Sequence, residues 1–187
     1  MPATMLDPKT ALIVIDLQKG MVGRPTVHPA AEIVARAARL ADAFRRHGLP
    51  VVLVNAAGIA PGRTEQKRPG VALPGDWTEL VAALNPQPRD YRVTKRAWGA
   101  FIDTGLLDIL RREGATQVVV CGIATSIGVE STARHGYELG FNVTLAIDAM
   151  TDIRAEAHEN SILRIFPRLG ETATTDEIVA LLDERRA

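Results

Sequence analysis

Three short stretches of this chain are apolar at every residue: 11–15 (Ala-Leu-Ile-Val-Ile), 51–54 (Val-Val-Leu-Val) and 118–121 (Val-Val-Val-Cys). A strand with one wet face alternates polar and apolar residues. A strand with no polar face must be covered on both sides, and such strands belong to parallel sheets flanked by helices. Further strands are expected at 91–94, at 143–147 ending on Asp148 and, more weakly, at 172–173. Helical patterns separate them. In the clearest, His28-Pro29 opens the segment with proline at the first helical position and Gly48 closes it. Ala30, Ile33, Val34, Ala37, Ala38, Ala41 and Phe44 recur inside it as one apolar stripe. Other helices are expected over about 104–113, capped by Asp103 or Thr104, from 128 to Gly140, over 155–166, and after a Thr174-x-x-Glu177 capping box. Residues 17–27 read as a loop. Residues 55–90 read as a long excursion, with a short helix at 77–84, that lies over the strand ends and shapes a pocket. The order of elements predicts a three-layer α/β/α fold around a six-stranded, mostly parallel sheet, in a single domain spanning 1–187.

Composition narrows the partners. Lys and Arg balance Asp and Glu at 22 each, so nothing favours nucleic acid or an anionic membrane. No apolar run approaches a membrane span, and residues 1–10 lack the pattern of a signal peptide. The single cysteine excludes an internal disulfide framework and fits a reducing, cytoplasmic setting.

In open parallel sheets, ligands bind beyond the carboxyl ends of the strands. Asp16, Asn55, Lys95 and the turn at 122–128 all fall at such ends. The turn joins a strand to a helix through small residues, which leaves backbone N–H groups free to face a ligand. Asp16 and Lys95 are suited to a buried ion pair that holds a proton donor or acceptor poised. Cys121 lies inside a run of valines and reads as a buried, inert thiol. Trp98 and Phe101 read as core or pocket wall, and His28, His47 and His135 as helix-cap or surface residues. No His, Asp or Cys cluster has metal-ligand spacing, and no glycine-rich phosphate loop follows the first strand. A small-molecule substrate is expected, with neither metal nor cofactor.

Three segments, in this order, resemble the isochorismatase-like hydrolases, also called cysteine hydrolases: Ala11-Leu-Ile-Val-Ile-Asp-Leu-Gln18, Lys95-Arg-Ala-Trp-Gly-Ala-Phe101 and Cys121-Gly-Ile-Ala-Thr-Ser-Ile-Gly-Val-Glu-Ser-Thr-Ala133. The resemblance runs from Ala11 to Leu182 and implies a Rossmann-like fold. In the family's amidases the catalytic set is Asp, Lys and Cys. Asp16 and Lys95 match the first two, but the nucleophile position holds Gly128, and Cys121, seven residues earlier, matches a strand residue. The resemblance further implies a cis peptide at Ile123–Ala124, an oxyanion hole from the Ala124 and Gly128 amides, and a substrate pocket lined by Gln18, Asn55, Trp98, Phe101 and Thr125. It also implies a homodimer or homotetramer. The Asp and His metal ligands of nicotinamidases have no counterpart here.

The family's isochorismatase branch also dispenses with the cysteine: its aspartate protonates the vinyl carbon of an enol ether, water adds and pyruvate leaves. The present chain departs from that branch at Ala97-Trp-Gly-Ala-Phe101 and at Asn55-Ala-Ala-Gly58. Two readings follow. One is a hydrolase without a covalent intermediate, in which Asp16 is the general acid or base, Lys95 tunes it and the Ala124 and Gly128 amides bind developing negative charge on a small enol-ether or amide substrate. The other is a catalytically inactive binding or scaffold protein on the same fold, with Asp16 and Lys95 kept as a structural pair.

Overall fold

The apolar runs pair into one six-stranded sheet in the order β3-β2-β1-β4-β5-β6. The strands are β1 (Thr10–Ile15), β2 (Val51–Ala56), β3 (Tyr91–Lys95), β4 (Gln117–Ile123), β5 (Asn142–Thr151) and β6 (Glu171–Ala173), and every pairing is parallel. The computed structural model describes residues 3–58, 60–65 and 74–184. The helices are α1 (Lys19–Val22), α2 (Ala30–Arg46), α3 (Leu106–Arg112), α4 (Glu130–Glu138), α5 (Ala155–Asn160) and α6 (Thr175–Glu184). None among the described residues is long and apolar enough to cross a membrane.

Successive residues of the buried strands feed opposite layers, which is why no polar face is needed. Leu12, Val14, Leu53, Val119 and Cys121 pack against Ile33, Leu40 and Phe44 of α2 and Ile178 and Leu182 of α6. Ala11, Ile13, Ile15, Val52, Val118 and Val120 pack on the other side against Leu106 and Leu110 of α3 and Ala133 of α4. The chain runs outward from β1 through β2 to β3, then crosses to β4 on the other side of β1. The strand order therefore reverses between β1 and β4, and a crevice opens at their carboxyl ends.

Several boundaries differ from the sequence reading. The 17–27 segment contains the short helix α1. The expected 77–84 helix is reduced to a single 3-10 turn at Ala82–Leu84, and residues 59 and 66–73 of the excursion lie outside the described residues. Strand β5 does not stop at Asp148 but runs on to Thr151, because its register with β4 jumps: Val120 faces Leu145 while Gly122 faces Met150. The extra residues bulge, and Asp148 uses that freedom to accept hydrogen bonds from the Thr175 N–H (2.7 Å) and Oγ1 (2.9 Å) at the start of α6. The expected capping box is also formed, with Glu177 accepting from Thr174 N–H and Oγ1, which holds its carboxyl below the usual range. Helix 155–166 breaks into α5, a wider π-helical turn at Ser161–Ile165 and a 3-10 turn at Phe166–Arg168. The element expected from residue 128 likewise begins as a π-helical turn, Thr125–Val129, before α4.

Candidate active site

The first residue past β1 is Asp16, with a left-handed φ of 52°, which turns the chain abruptly at the sheet edge. Its carboxylate is buried at the reversal point. Lys95 lies two strands away at the end of β3, in register with Ala56 of β2, and its long stem carries Nζ to 2.7 Å from Asp16 Oδ2. The ammonium also donates to the Ala97 carbonyl at 3.2 Å. Asp16 Oδ1 is buried and has no hydrogen-bond partner among the described residues. Burial pushes the Asp16 carboxyl up to about 6, against the opposing pull of the Lys95 charge and hydrogen bond.

This shift has a consequence for stability. The folded chain keeps a proton on Asp16 at pH values where an ordinary carboxyl, at 3.8, has lost it. Because the folded state is the one that binds this proton, the group's favourable contribution is full below about pH 4 and is lost as pH rises through about 6. The loss is on the order of 3 kcal/mol. Urea unfolding at about pH 4 and about pH 7.5 should show this decline in the native chain and a flatter dependence in Asp16→Asn. Equal slopes in the two proteins would contradict it.

Opposite Asp16, β4 runs into the π-helical turn through a cis peptide at Ile123–Ala124. The Ala124 carbonyl accepts from both Ile127 and Val129 N–H, each at 3.1 Å. Gly128 is buried within this turn. A Cβ added to Gly128 would stand 2.9 Å from Ile15 Cγ2 and 3.4 Å from Asp16 Oδ2, so the missing side chain is one that would project at the carboxylate. Cys121 is buried inside β4, and burial pushes its thiol up to about 12.

The remaining pocket residues divide. Gln18 is fully buried and its amide is committed: Oε1 accepts from Ala56 N–H (2.7 Å), and Nε2 donates to the carbonyls of Ala56 (3.0 Å) and Trp77 (2.9 Å). Asn55 is similarly occupied, donating to Thr78 O and accepting from Thr94 Oγ1. Both anchor the described part of the excursion. There the amides of Lys19 and Gly20 donate to Glu79 O and Trp77 O, and the Trp77 ring lies where a side chain at Gly20 would be. Thr125 is buried, with Oγ1 2.8 Å from His158 Nδ1. Phe101 stacks on Phe141 with centroids 6.2 Å apart and joins the core beside α3 and α4. Trp98 is 56 % exposed.

Two residues that the sequence reading passed over bear on the turn. Asp152, nearly fully buried, accepts from Ser126 N–H and Oγ, and His158 holds Thr125. Burial lowers the His158 pKa, with the neighbouring His28 acting in the same direction. No local signal marked Asp152, which lies four residues past the expected strand end at Asp148. His28, expected at a cap or the surface, bonds to Thr151 and lies 4.9 Å from the His158 ring. Among the described residues, no group of three or more His, Cys, Asp or Glu is placed to hold a metal ion.

Residues 10–177 match the isochorismatase domain. Over 182 residues the chain is 45% identical to the uncharacterized isochorismatase family protein YecD of Escherichia coli O157:H7, covering 92% of this chain and 96% of that one. It is 31% identical over 185 residues to a probable isochorismatase of Pseudomonas chlororaphis, covering 93% and 87%. Among solved structures, an isochorismatase family protein from Burkholderia thailandensis superposes with a TM-score of 0.92 at 41% identity, covering 96% of this chain and 98% of that one.

Proposed function

This chain belongs to the isochorismatase family, and on that footing we propose that it is a hydrolase acting without a cysteine nucleophile on a small enol-ether or amide substrate. One observation carries the reading. Asp16 is buried next to Gly128, whose absent side chain would lie 3.4 Å from Oδ2, and the other carboxyl oxygen of Asp16, Oδ1, has no hydrogen-bond partner among the described residues. Gly128 takes the place from which the family's amidases project their sulfur. Cys121 does not replace it, because a thiol raised to about 12 and enclosed in a sheet yields neither thiolate nor access.

The enol ether is the preferred substrate. Asp16 donates its proton to the terminal vinyl carbon, and the resulting oxocarbenium ion takes up water at the ether carbon. Water's proton returns to the Asp16 carboxylate, and the hemiketal collapses to a ketone and an alcohol. A carboxyl raised to about 6 keeps a protonated fraction near neutral pH, as this step needs. Lys95 orients the carboxyl through Oδ2 and leaves Oδ1 for the reaction. On an amide, the Asp16 carboxylate would instead take a proton from water and pass it to the leaving nitrogen, with the Ala124 and Gly128 amides facing the carbonyl oxygen. The relative in Pseudomonas chlororaphis, described as a probable isochorismatase, supports the first course. An inactive scaffold fits less well, since a purely structural pair would satisfy both carboxylate oxygens.

The test is a turnover screen of the purified protein on isochorismate and a set of small amides, with pyruvate and ammonia as readouts. Pyruvate release supports the enol-ether reading, and ammonia release moves the chain to amide hydrolysis by activated water. Silence on every substrate, with a ligand bound and released unchanged, favours the scaffold.

A further inference from the structure

We propose that Asp152 is a positioning residue that sets the geometry of the Thr125–Val129 turn, and through it the placement of Gly128 and the Ala124 amide before Asp16. The inference rests on the reading that this turn faces the substrate.

Asp152 is 2% exposed, and its four hydrogen-bond partners among the described residues are N–H and O–H donors, none of them a cation. Oδ2 accepts from Ser126 N–H at 2.7 Å and Ser126 Oγ at 2.8 Å. Oδ1 accepts from Ile153 N–H at 2.8 Å and Arg154 N–H at 3.3 Å, at the entry to α5. Burying a carboxylate is costly unless its lone pairs are filled, and here all the filling comes from two places, the turn and the residues that follow β5. A π-helical turn is an uncommon conformation that reverts readily to ordinary helix unless something outside it holds it open. Asp152 supplies that hold, because the Ser126 N–H it accepts fixes the plane of the Thr125–Ser126 peptide. Thr125 is held from the same direction by His158 at 2.8 Å. With residues 125 and 126 both anchored, Val129 N–H reaches back five residues to Ala124 O at 3.1 Å. Gly128 then faces Asp16 Oδ2 instead of rotating along α4. Asp152 touches no reacting atom in this account and acts only through the turn.

The experiment compares amide hydrogen exchange, peptide by peptide, in the native protein, Asp152→Ala, Asp152→Asn and Ser126→Ala. Exchange over residues 123–130 should rise by about tenfold or more in Asp152→Ala, while α2 stays as protected as before. Asp152→Asn, which keeps one acceptor oxygen, should fall between, and remains informative if the alanine variant does not fold. Unchanged exchange over 123–130 would overturn the proposal, and so would equal acceleration in α2 and α6, since that is general destabilisation. On whichever substrate the screen identifies, Asp152→Asn should lower kcat by about tenfold to a hundredfold with KM nearly unchanged. Loss in KM alone would overturn the positioning role. If no substrate turns over, or if turnover survives Asp16→Asn, the functional reading fails, while hydrogen exchange still decides whether Asp152 holds the turn.

Discussion

Asp16→Asn is expected to lower turnover by about a hundredfold to ten-thousandfold, the range that a positioned proton donor contributes. Asparagine has the same shape, and its amide oxygen can still accept from Lys95 Nζ, which lies 2.7 Å from the native carboxylate. The fold should therefore survive, with near-UV circular dichroism unchanged. What disappears is the carboxyl proton of a group whose Oδ1 has no hydrogen-bond partner among the described residues. Parallel assays of both proteins on the substrate from the screen check this, and activity within about threefold of native would remove Asp16 from the mechanism.

Gly122→Ala is expected to cost about 4 kcal/mol or more, enough to remove most of the stability of a marginal domain. Gly122 has φ of 120°, and a Cβ there would come within 2.1 Å of the Ile15 carbonyl oxygen, in the backbone of the neighbouring strand. Neither a side-chain rotation nor a small shift relieves such a contact, because Ile15 is itself held between β2 and β4. The close approach brings the end of β4 beside Asp16, so the substitution strikes the fold at the site. Soluble yield and urea unfolding measure it, and a loss under about 1 kcal/mol would show that the strands separate more easily than their packing implies.

The layered fold and the Asp16–Lys95 pair were legible because each rests on a local signal. An uninterrupted apolar run requires cover on both faces, and a charged residue ending such a run lies at the sheet edge where ligands bind. Other features depend on where lone pairs go, which residue type does not reveal. Gln18 and Asn55 have the chemistry of substrate-binding amides, yet their polar atoms are taken by the backbone of Ala56, Trp77 and Thr78 and by the Thr94 hydroxyl. Phe101 met a ring forty residues away, and Asp152 meets Ser126 across twenty-six. The continuation of β5 past Asp148 was hidden because a bulge lets a polar residue occupy a strand without entering the core.

The central claim is that the proton moved in the reaction belongs to Asp16 and that no thiol takes part. The dependence of kcat/KM on pH, from about pH 4 to about pH 9, tests it most directly, because it reports the ionisation of the free enzyme's essential group. On an enol ether the rate constant should be highest at low pH and fall with an apparent pKa near the value of about 6 expected for Asp16. On an amide the same pKa should appear as a rising limb. A profile flat through this region, or one rising only as a thiol ionises at much higher pH, would contradict the account.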